Sequence, residues 1–227
     1  MKKFLTRKRD KVVFPTRPKH VNSATLNLKG IVQPVLGADI SRADYRRVKN
    51  EPDTFKRKVY FAALFVSELR KIGTDAILVG GSAVEFYTRG KFQTADIDFV
   101  VTDRSRATQI LKSLGFDAKD AVWYNRELDI IVDASDKDYT GDPDKVRIVE
   151  VRGVEVKVAG VEDLIVNRLY SAKYWKSNPQ RDMEEATALL SIFSKSIDNE
   201  YLDRITKQND VGDLLQKARE RASEVNK

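Results

Sequence analysis

The sequence predicts an α+β protein in which a core with a mixed sheet is followed by a helical C-terminal part. Short apolar runs typical of strands alternate with amphipathic stretches between residues 51 and 160, whereas the apolar pattern has helical spacing from Val161 onward. A chain of 227 residues suffices for one compact domain with a small helical addition. We therefore predict a basic extension over 1–50, a core over 51–160 and a helical subdomain over 161–227.

The basic extension carries the net charge of the whole chain. Residues 1–20 contain eight Lys or Arg and one Asp, whereas the other 207 residues contain 33 basic and 33 acidic side chains. The net charge of +7 therefore belongs to this arm. Such an arm attracts phosphate backbones or anionic surfaces, so we expect it to bind RNA; a solvated tail is the alternative.

The elements after the extension follow from apolar periodicity and from Gly and Pro. An amphipathic run from Pro52 to Gly73 predicts the first helix, with Gly73 as its C-cap. The other elements predicted for the core are strands at 76–79, 95–101, 122–124, 127–132, 146–151 and 154–158 and helices at 82–90 and 104–114. The helices predicted for the C-terminal part are 161–176, 180–195, 198–208 and 211–225.

Composition excludes several kinds of chemistry. The chain has no Cys and a single His, His20, which rules out disulfides, thiolate metal sites and a cysteine nucleophile and argues against a Ser-His-Asp triad. No stretch approaches the roughly 20 apolar residues that span a bilayer. The N-terminus also lacks the apolar segment of a secretory signal, so we expect a cytoplasmic protein without a membrane partner.

The strongest candidate site combines two glycines with two acids. Gly80 and Gly81 end a predicted strand and Ser82 opens a helix, so backbone amides and the helix dipole can cradle a phosphate. Asp96 and Asp98 lie two residues apart on a strand, so both side chains point to one face. Their mutual repulsion favours a cation between them, and Mg²⁺ prefers carboxylate and phosphate oxygens. A nucleoside triphosphate would satisfy both halves of the site.

Each half of this site also has a purely structural interpretation. Ser82 and Glu85 fit a capping box, which would leave the backbone amides available to phosphate. An Asp-x-Asp pair can protect the edge of a sheet from aggregation. Against that, two unpaired acids on a strand that continues into residues 99–101 are costly without a counter-ion.

The order of Gly-Gly-Ser, a short helix and Asp-x-Asp resembles the DNA polymerase β-type nucleotidyltransferase superfamily. The resemblance implies a polymerase β-like core, a nucleoside triphosphate substrate, two Mg²⁺ ions and a third acid on a neighbouring strand. The segment 126–133 matches that strand. Asp129 is the preferred third acid because it lies between two apolar residues inside the predicted strand. Glu127 is the alternative, and Asp133 is interpreted as a turn residue.

Residues 154–165 and the helices after them resemble the AbiEii-like nucleotidyltransferases, a group that includes toxins of toxin–antitoxin pairs. That group has a basic residue in the first of these helices, more often Lys, and an Arg-Asp or Lys-Asp pair opening the next. Here these positions are Arg168 and Arg181-Asp182. Arg168 also lies on the apolar face of its helix, where a charged side chain snorkels or points into a cleft. The resemblance implies transfer RNA as the acceptor and an antitoxin protein as a partner.

The sequence hypothesis is therefore magnesium-dependent transfer of a nucleoside monophosphate from a nucleoside triphosphate to a hydroxyl of RNA. The alternatives are transfer to a protein or small-molecule hydroxyl, a nucleotide- or RNA-binding module without turnover, and an interaction protein of a toxin–antitoxin pair. The predicted site residues are the catalytic and metal-binding acids Asp96, Asp98 and Asp129 and the nucleotide-binding residues Gly80, Gly81, Ser82, Arg168 and Arg181.

Overall fold

The computed structural model describes residues 42–225, and it confirms the α+β fold with a mixed sheet and C-terminal helices. The basic arm over residues 1–20 lies outside the described residues. The helices are α1 (Arg42–Asn50), α2 (Thr54–Lys71), α3 (Gly80–Tyr87), α4 (Arg104–Ser113), α5 (Val161–Tyr170), α6 (Pro179–Ile192), α7 (Asn199–Gln208) and α8 (Gly212–Val225). The strands are β1 (Ala76–Leu78), β2 (Asp96–Val101), β3 (Asp117–Lys119), β4 (Val122–Asn125), β5 (Ile130–Ser135), β6 (Arg147–Val151) and β7 (Val154–Val158).

Four elements differ most from the sequence prediction. Helix α1 forms within the predicted extension, where the buried side chain of Val48 belongs to the apolar core. Strand β3 was not predicted, because all three of its side chains are exposed and give no apolar alternation. Strand β5 begins at Ile130 rather than at residue 127, and the predicted helix over 161–176 is α5 followed by a π-helical turn at Ser171–Trp175.

The sheet has the strand order β3-β4-β5-β2-β1-β7-β6, with β2 near its centre. Strand β2 pairs in parallel with β5 and antiparallel with β1, and β1 pairs in parallel with β7. The first residues of β2 and β5 therefore lie at the same edge of the sheet as the end of β1, from which α3 begins.

The two faces of β2 have different neighbours. Ile97, Phe99 and Val101 are buried, and the Phe99 ring packs at 5.2 Å from that of Phe65 in α2. Because side chains alternate along a strand, Asp96 and Asp98 point to the opposite face. Helix α3 contacts β2, and α3 in turn contacts α5 and α6. The two acids therefore face the side of the sheet on which the C-terminal helices pack.

A buried polar cluster joins the C-terminal helices to the core. The carboxylate of Asp163 in α5 accepts hydrogen bonds from the Tyr201 hydroxyl at 2.6 Å, the Asp142 amide at 3.1 Å and the Tyr139 hydroxyl at 3.2 Å. Burial raises the pKa of the Asp163 carboxyl despite these donors. In the part of the chain that the structure covers, no helix is long and apolar enough to cross a membrane.

Candidate active site

The two glycines at the start of α3 allow close approach to β2. Gly80 has a φ of +61°, and a Cβ atom at this position would lie 2.5 Å from Oδ2 of Asp98. A Cβ on Gly81 would lie 3.3 Å from Oγ1 of Thr94. Gly80 is therefore required both by its backbone conformation and by the carboxylate beside it. The first amides of α3 have no partner within the helix and lie at the edge where Asp98 is placed.

Ser82 connects the ends of two strands rather than capping the helix. Its buried hydroxyl donates to the carbonyl oxygen of Val79 at 2.9 Å and accepts from the amide of Asp98 at 3.0 Å. The helix begins two residues before Ser82, and Val79 occupies the N-cap position without a side-chain hydrogen bond. The predicted capping box is therefore wrong, because the Ser82 hydroxyl is used to hold β2 against the end of β1.

A third carboxylate lies opposite Asp98 on the neighbouring strand. The parallel register of β2 and β5 pairs Asp98 with Asp133 and Asp96 with Ile131. Adjacent strands lie about 4.8 Å apart, and paired residues of two neighbouring strands point to the same face. The structure thus brings Asp96, Asp98 and Asp133 together on one face, beside the first turn of α3.

Asp129 lies outside the strand in which the sequence analysis placed it. It occupies the turn before β5 with a φ of +52°, its side chain is 77% exposed, and Oδ2 lies 3.8 Å from Nη1 of Arg57. The turn is stabilised by Asn125, whose side-chain oxygen accepts from the Leu128 amide at 2.9 Å. The prediction that Asp129 is a strand residue is wrong because this side-chain bond delays the start of β5 until Ile130.

Glu127, the alternative third acid, is paired with cationic and phenolic donors in the same turn. Its carboxylate accepts from Nζ of Lys49 at 2.5 Å and from the hydroxyl of Tyr45 at 2.6 Å. These hydrogen bonds lower the pKa of the Glu127 carboxyl. Glu127 therefore holds α1 against this turn.

The electrostatics of Asp98 differ from those of an ordinary surface acid. Burial and the nearby carboxylates of Asp96 and Asp133 raise the pKa of Asp98 to about 6. A hydrogen bond from the Ser82 backbone amide and the charge of Arg168 act in the opposite direction. The ionised form of Asp98 is therefore held against repulsion from two like charges, which a cation at this face would relieve.

The donor set of this face fits a hard divalent cation. Mg²⁺ takes oxygen ligands, keeps several waters and needs only one or two carboxylates together with substrate phosphates. As they stand, no three His, Cys, Asp or Glu side chains within residues 42–225 form a ready-made metal cage. Asp96, Asp98 and Asp133 would supply carboxylate oxygens to such an ion, with waters and phosphate oxygens as its other ligands.

A buried ion pair supports the segment that precedes β2. Nζ of Lys58 in α2 lies 2.8 Å from Oε2 of Glu85 in α3, and both side chains are almost fully buried. The same carboxylate oxygen accepts from the amide of Thr94 at 3.2 Å, and Lys58 donates to the Thr94 carbonyl oxygen. The Thr94 hydroxyl in turn donates to Oδ1 of Asp96 at 3.1 Å. Glu85 is thus tied to this segment rather than to the start of α3.

The two predicted arginines meet at a buried carboxylate in α6. Glu185 accepts from Nε of Arg181 at 2.8 Å through Oε1 and lies 3.4 Å from Nη1 of Arg168 through Oε2. Arg181 also donates to the carbonyl oxygen of Gln93, just before Thr94. Asp182 is buried and lies 3.8 Å from Arg168. The structure therefore brings both guanidinium groups to Glu185. The charge of Arg168 acts on Asp98, Arg181 bonds a residue three positions before Asp96, and the buried Nε of Arg168 is unpaired.

A cavity of about 560 Å³ opens beside Arg181. It is a size typical of small-ligand sites. It lies between the segment before β2 and the start of α6, and its charged lining consists of Lys91, Arg181 and Glu184. The other lining residues are Phe92, Gln93, Asn178 and Gln180.

Sequence reasoning missed four residues of this region. Lys58 is a charge whose helical neighbours Phe55, Phe61 and Ala62 are apolar, and this pattern could have identified it. Glu185 has Arg181 and Asp182 one turn earlier and gives no such signal. Asp133 alternates with the buried Val132 and Ala134, a period-two signal that was interpreted as a turn. Thr94 gives no signal in the sequence, since its role depends on Lys58 and Glu85, which are distant in the chain.

Two solved structures are similar to this chain, and the first of them supports the fold. The structure of ANT(2'')-Ia in complex with adenylyl-2''-tobramycin is 15% identical in sequence, with a TM-score of 0.50 over 67% of this chain and 97% of that one. An antigenic nucleotidyltransferase-like protein from Paracoccidioides brasiliensis is also 15% identical, with a TM-score of 0.48 over 70% of this chain and 91% of that one. No curated protein matches the chain in sequence.

A family model gives the more specific result. The model described as nucleotidyltransferase of unknown function (DUF6036) matches residues 62–225. This match includes β1, α3, β2 and β5 and the C-terminal helices, and therefore every residue of the site described above except Lys58. Because the match spans well over half of the chain, the protein belongs to this family and is a nucleotidyltransferase.

Proposed function

We propose that the protein transfers a nucleoside monophosphate from a nucleoside triphosphate to a hydroxyl of RNA in a magnesium-dependent reaction. The observation that carries this proposal is the grouping of Asp96, Asp98 and Asp133 on one face of the sheet, beside the glycine-opened start of α3. The raised pKa of Asp98, which comes from burial and then from the carboxylates of Asp96 and Asp133, supports a cation at that face, because a metal ion stabilises such carboxylates in their ionised form.

Asp96, Asp98 and Asp133 would hold the magnesium, so Asp133 replaces Asp129 as the third acid of the proposal. Bound Mg²⁺ would supply charge stabilisation to the α-phosphate, the attacking hydroxyl and the leaving pyrophosphate. Asp133 accepts the proton of the acceptor hydroxyl, a role that its position on the neighbouring strand supports. The side chains mainly orient the substrates and neutralise the charge of the phosphates, as is usual for transfer of phosphoryl groups.

The triphosphate would lie between the start of α3 and the two arginines. The amides of Gly80 and Gly81 donate to phosphate oxygens, whereas the Ser82 hydroxyl is already bonded to Val79 and Asp98 and acts by positioning. Arg168 and Arg181 neutralise the developing charge from the other side. Glu185 contacts both guanidinium groups, and together with Asp182 it holds the two arginines in place.

Charge favours an anionic acceptor. The first 20 residues carry +7, and the cavity beside Arg181 is lined by two cations and one acid. Both features attract phosphate groups and would repel a polycation. ANT(2'')-Ia was solved with adenylyl-2''-tobramycin, so transfer to a small-molecule hydroxyl is the second candidate. The resemblance to AbiEii-like toxins adds transfer RNA as the acceptor and an antitoxin protein as a binding partner to the proposal.

A labelling experiment tests this function. The protein is incubated with each nucleoside triphosphate radiolabelled at the α-phosphate, Mg²⁺ and total cellular RNA, and products are separated so that RNA and protein are both seen. We expect label on RNA, and none with an Asp96→Asn/Asp98→Asn protein or in the presence of EDTA. Label on protein, or on a small molecule supplied instead of RNA, would contradict the RNA acceptor. Label that survives the double substitution would contradict the assigned site.

A further inference from the structure

In the segment before β2, the amide, the carbonyl oxygen and the hydroxyl of Thr94 all form hydrogen bonds. The carbonyl oxygen of Thr94 accepts a hydrogen bond from Nζ of Lys58, and its amide donates to the carboxylate of Glu85. Its hydroxyl donates to Oδ1 of Asp96 at 3.1 Å. Side chains of α2, α3 and β2 therefore converge on this one residue. Such complete engagement fixes the direction of the Thr94 hydroxyl.

The support for Thr94 is a buried ion pair, which is costly unless its geometry is well satisfied. The side chains of Lys58 and Glu85 are 7% and 1% exposed, so both charges are removed from water. Replacing such a pair by apolar residues is often neutral or stabilising, so stability alone does not explain its presence. Both members of the pair bond the backbone of Thr94, which follows Gln93 of the cavity lining and precedes Asp96 by two residues.

Thr94 also touches the other half of the site. A Cβ on Gly81 would lie 3.3 Å from the Thr94 hydroxyl oxygen, so this side chain packs against the start of α3 where the phosphate amides are. The hydroxyl thus lies between the proposed phosphate-binding turn and the proposed metal ligand Asp96. A change in its position would alter the orientation of that carboxylate.

We infer that Thr94, held by the Lys58–Glu85 pair, is a positioning residue that orients the Asp96 carboxylate for metal binding. The inference rests on the proposed function, since it requires a divalent cation at Asp96 and Asp98. A hydroxyl that donates to one carboxylate oxygen leaves the other oxygen free to face the ion. Residues that support metal ligands in this way are typically worth 10–100-fold in metal affinity.

The test measures Mn²⁺ binding by the whole protein, using electron paramagnetic resonance to count free Mn²⁺. Thr94→Val removes the hydroxyl and keeps the branched shape, whereas Thr94→Ser keeps the hydroxyl. We expect Thr94→Val to weaken Mn²⁺ binding about tenfold or more and Thr94→Ser to bind within about twofold of wild type. Thr102→Val is the matched control: it removes a hydroxyl just after the other end of β2, where Thr102 bonds the Asp75 backbone, and should leave the affinity unchanged.

Two results separate the failure of this inference from the failure of the proposed function. If Asp98→Asn abolishes Mn²⁺ binding while Thr94→Val binds as wild type does, the positioning role is wrong and the metal site stands. If wild type and Asp98→Asn bind Mn²⁺ equally, the metal site and the inference are both overturned. A Lys58→Met/Glu85→Leu protein that folds, as judged by its near-UV circular dichroism, should weaken Mn²⁺ binding as Thr94→Val does. Unchanged Mn²⁺ affinity in that protein would show that the Lys58–Glu85 pair is not needed to position Thr94.

Discussion

Two groups of acidic side chains lie at the same edge of the sheet but have opposite electrostatic surroundings. In the turn before β5, Glu127 and Asp129 are exposed and each lies beside a cation, Lys49 and Arg57 respectively. On the face of β2 and β5, burial and the carboxylates of Asp96 and Asp133 outweigh the charge of Arg168, so the pKa of Asp98 is raised rather than lowered. Acids that stabilise the fold are thus paired with cations of the protein, whereas burial and repulsion at the proposed site favour a bound cation.

The largest expected effect is on catalysis. Asp98→Asn or Asp96→Asn should lower the rate of nucleotidyl transfer about a thousandfold or more, because a bound metal contributes several kcal/mol of charge stabilisation. Steady-state rates with the labelled triphosphate measure this effect. Asp117→Asn, which changes an exposed acid on the edge strand β3, is the control and should keep full activity. A comparable loss in that control would mean that the effect is not specific to the site.

The buried pair of Lys58 and Glu85 should show the largest effect on stability. Lys58→Met leaves the Glu85 carboxylate buried without its cation, which typically lowers the free energy of unfolding by about 3–5 kcal/mol. Lys58→Met/Glu85→Leu removes both charges and should lower the free energy of unfolding much less. Urea unfolding followed by circular dichroism gives both values. A single variant as stable as the double variant would contradict the assignment of a buried, mutually dependent pair.

Asp98 should reduce stability at neutral pH, in contrast to a paired acid. Its pKa is about 6 in the folded protein and about 3.8 in the unfolded chain, so between these values the folded state binds more protons. The free energy of unfolding therefore falls as the pH rises through this window. Asp98→Asn cannot ionise, so without divalent metal it should be more stable than wild type at pH 7, by at most about 3 kcal/mol.

Urea unfolding in EDTA at pH 4 and pH 7 measures this difference. The advantage of Asp98→Asn should shrink at pH 4, where wild-type Asp98 is protonated in the folded state. Added Mg²⁺ should also reduce it by stabilising wild type alone. An Asp98→Asn protein that is less stable than wild type at pH 7 in EDTA would show that the carboxylate is not under repulsion.

Glu127 should give the smallest effect, with the opposite dependence on pH. Hydrogen bonds from Lys49 and Tyr45 lower the pKa of its carboxyl in the folded state, so its contribution is present at pH 7 and disappears as the pH falls below the folded-state pKa. Glu127→Gln should therefore slightly lower the melting temperature at pH 7, and this loss should shrink as the pH falls well below 4.5. A melting temperature that rises at pH 7 would contradict a stabilising role for this acid.

The sequence predicted the parts of the fold and site that are carried by local patterns. Gly80, Gly81, Asp96 and Asp98 were identified because two glycines before a helix and two acids at spacing two each have a direct physical meaning. The hairpin of β6 and β7 followed from its alternating valines around Arg152-Gly153. These signals need no knowledge of distant residues.

What the sequence could not predict depends on contacts between distant segments. The placement of Asp129 inside a strand was wrong because the side chain of Asn125 stabilises a turn through Leu128 and shifts the start of β5. The capping role predicted for Ser82 was wrong because its hydroxyl accepts a hydrogen bond from the Asp98 amide in β2. Thr94 became visible only once α2 and α3 were seen to meet at its backbone.

The most direct measurement compares Asp133→Asn with Asp129→Asn, in transfer rate and in Mn²⁺ affinity, on the same preparation. The two substitutions make the same chemical change four residues apart, one on the face with Asp98 and one in the exposed turn. We predict that Asp133→Asn loses at least a hundredfold in rate and binds Mn²⁺ more weakly, while Asp129→Asn stays within a few-fold of wild type. An active Asp133→Asn protein together with an inactive Asp129→Asn protein would contradict the assignment of the third acid.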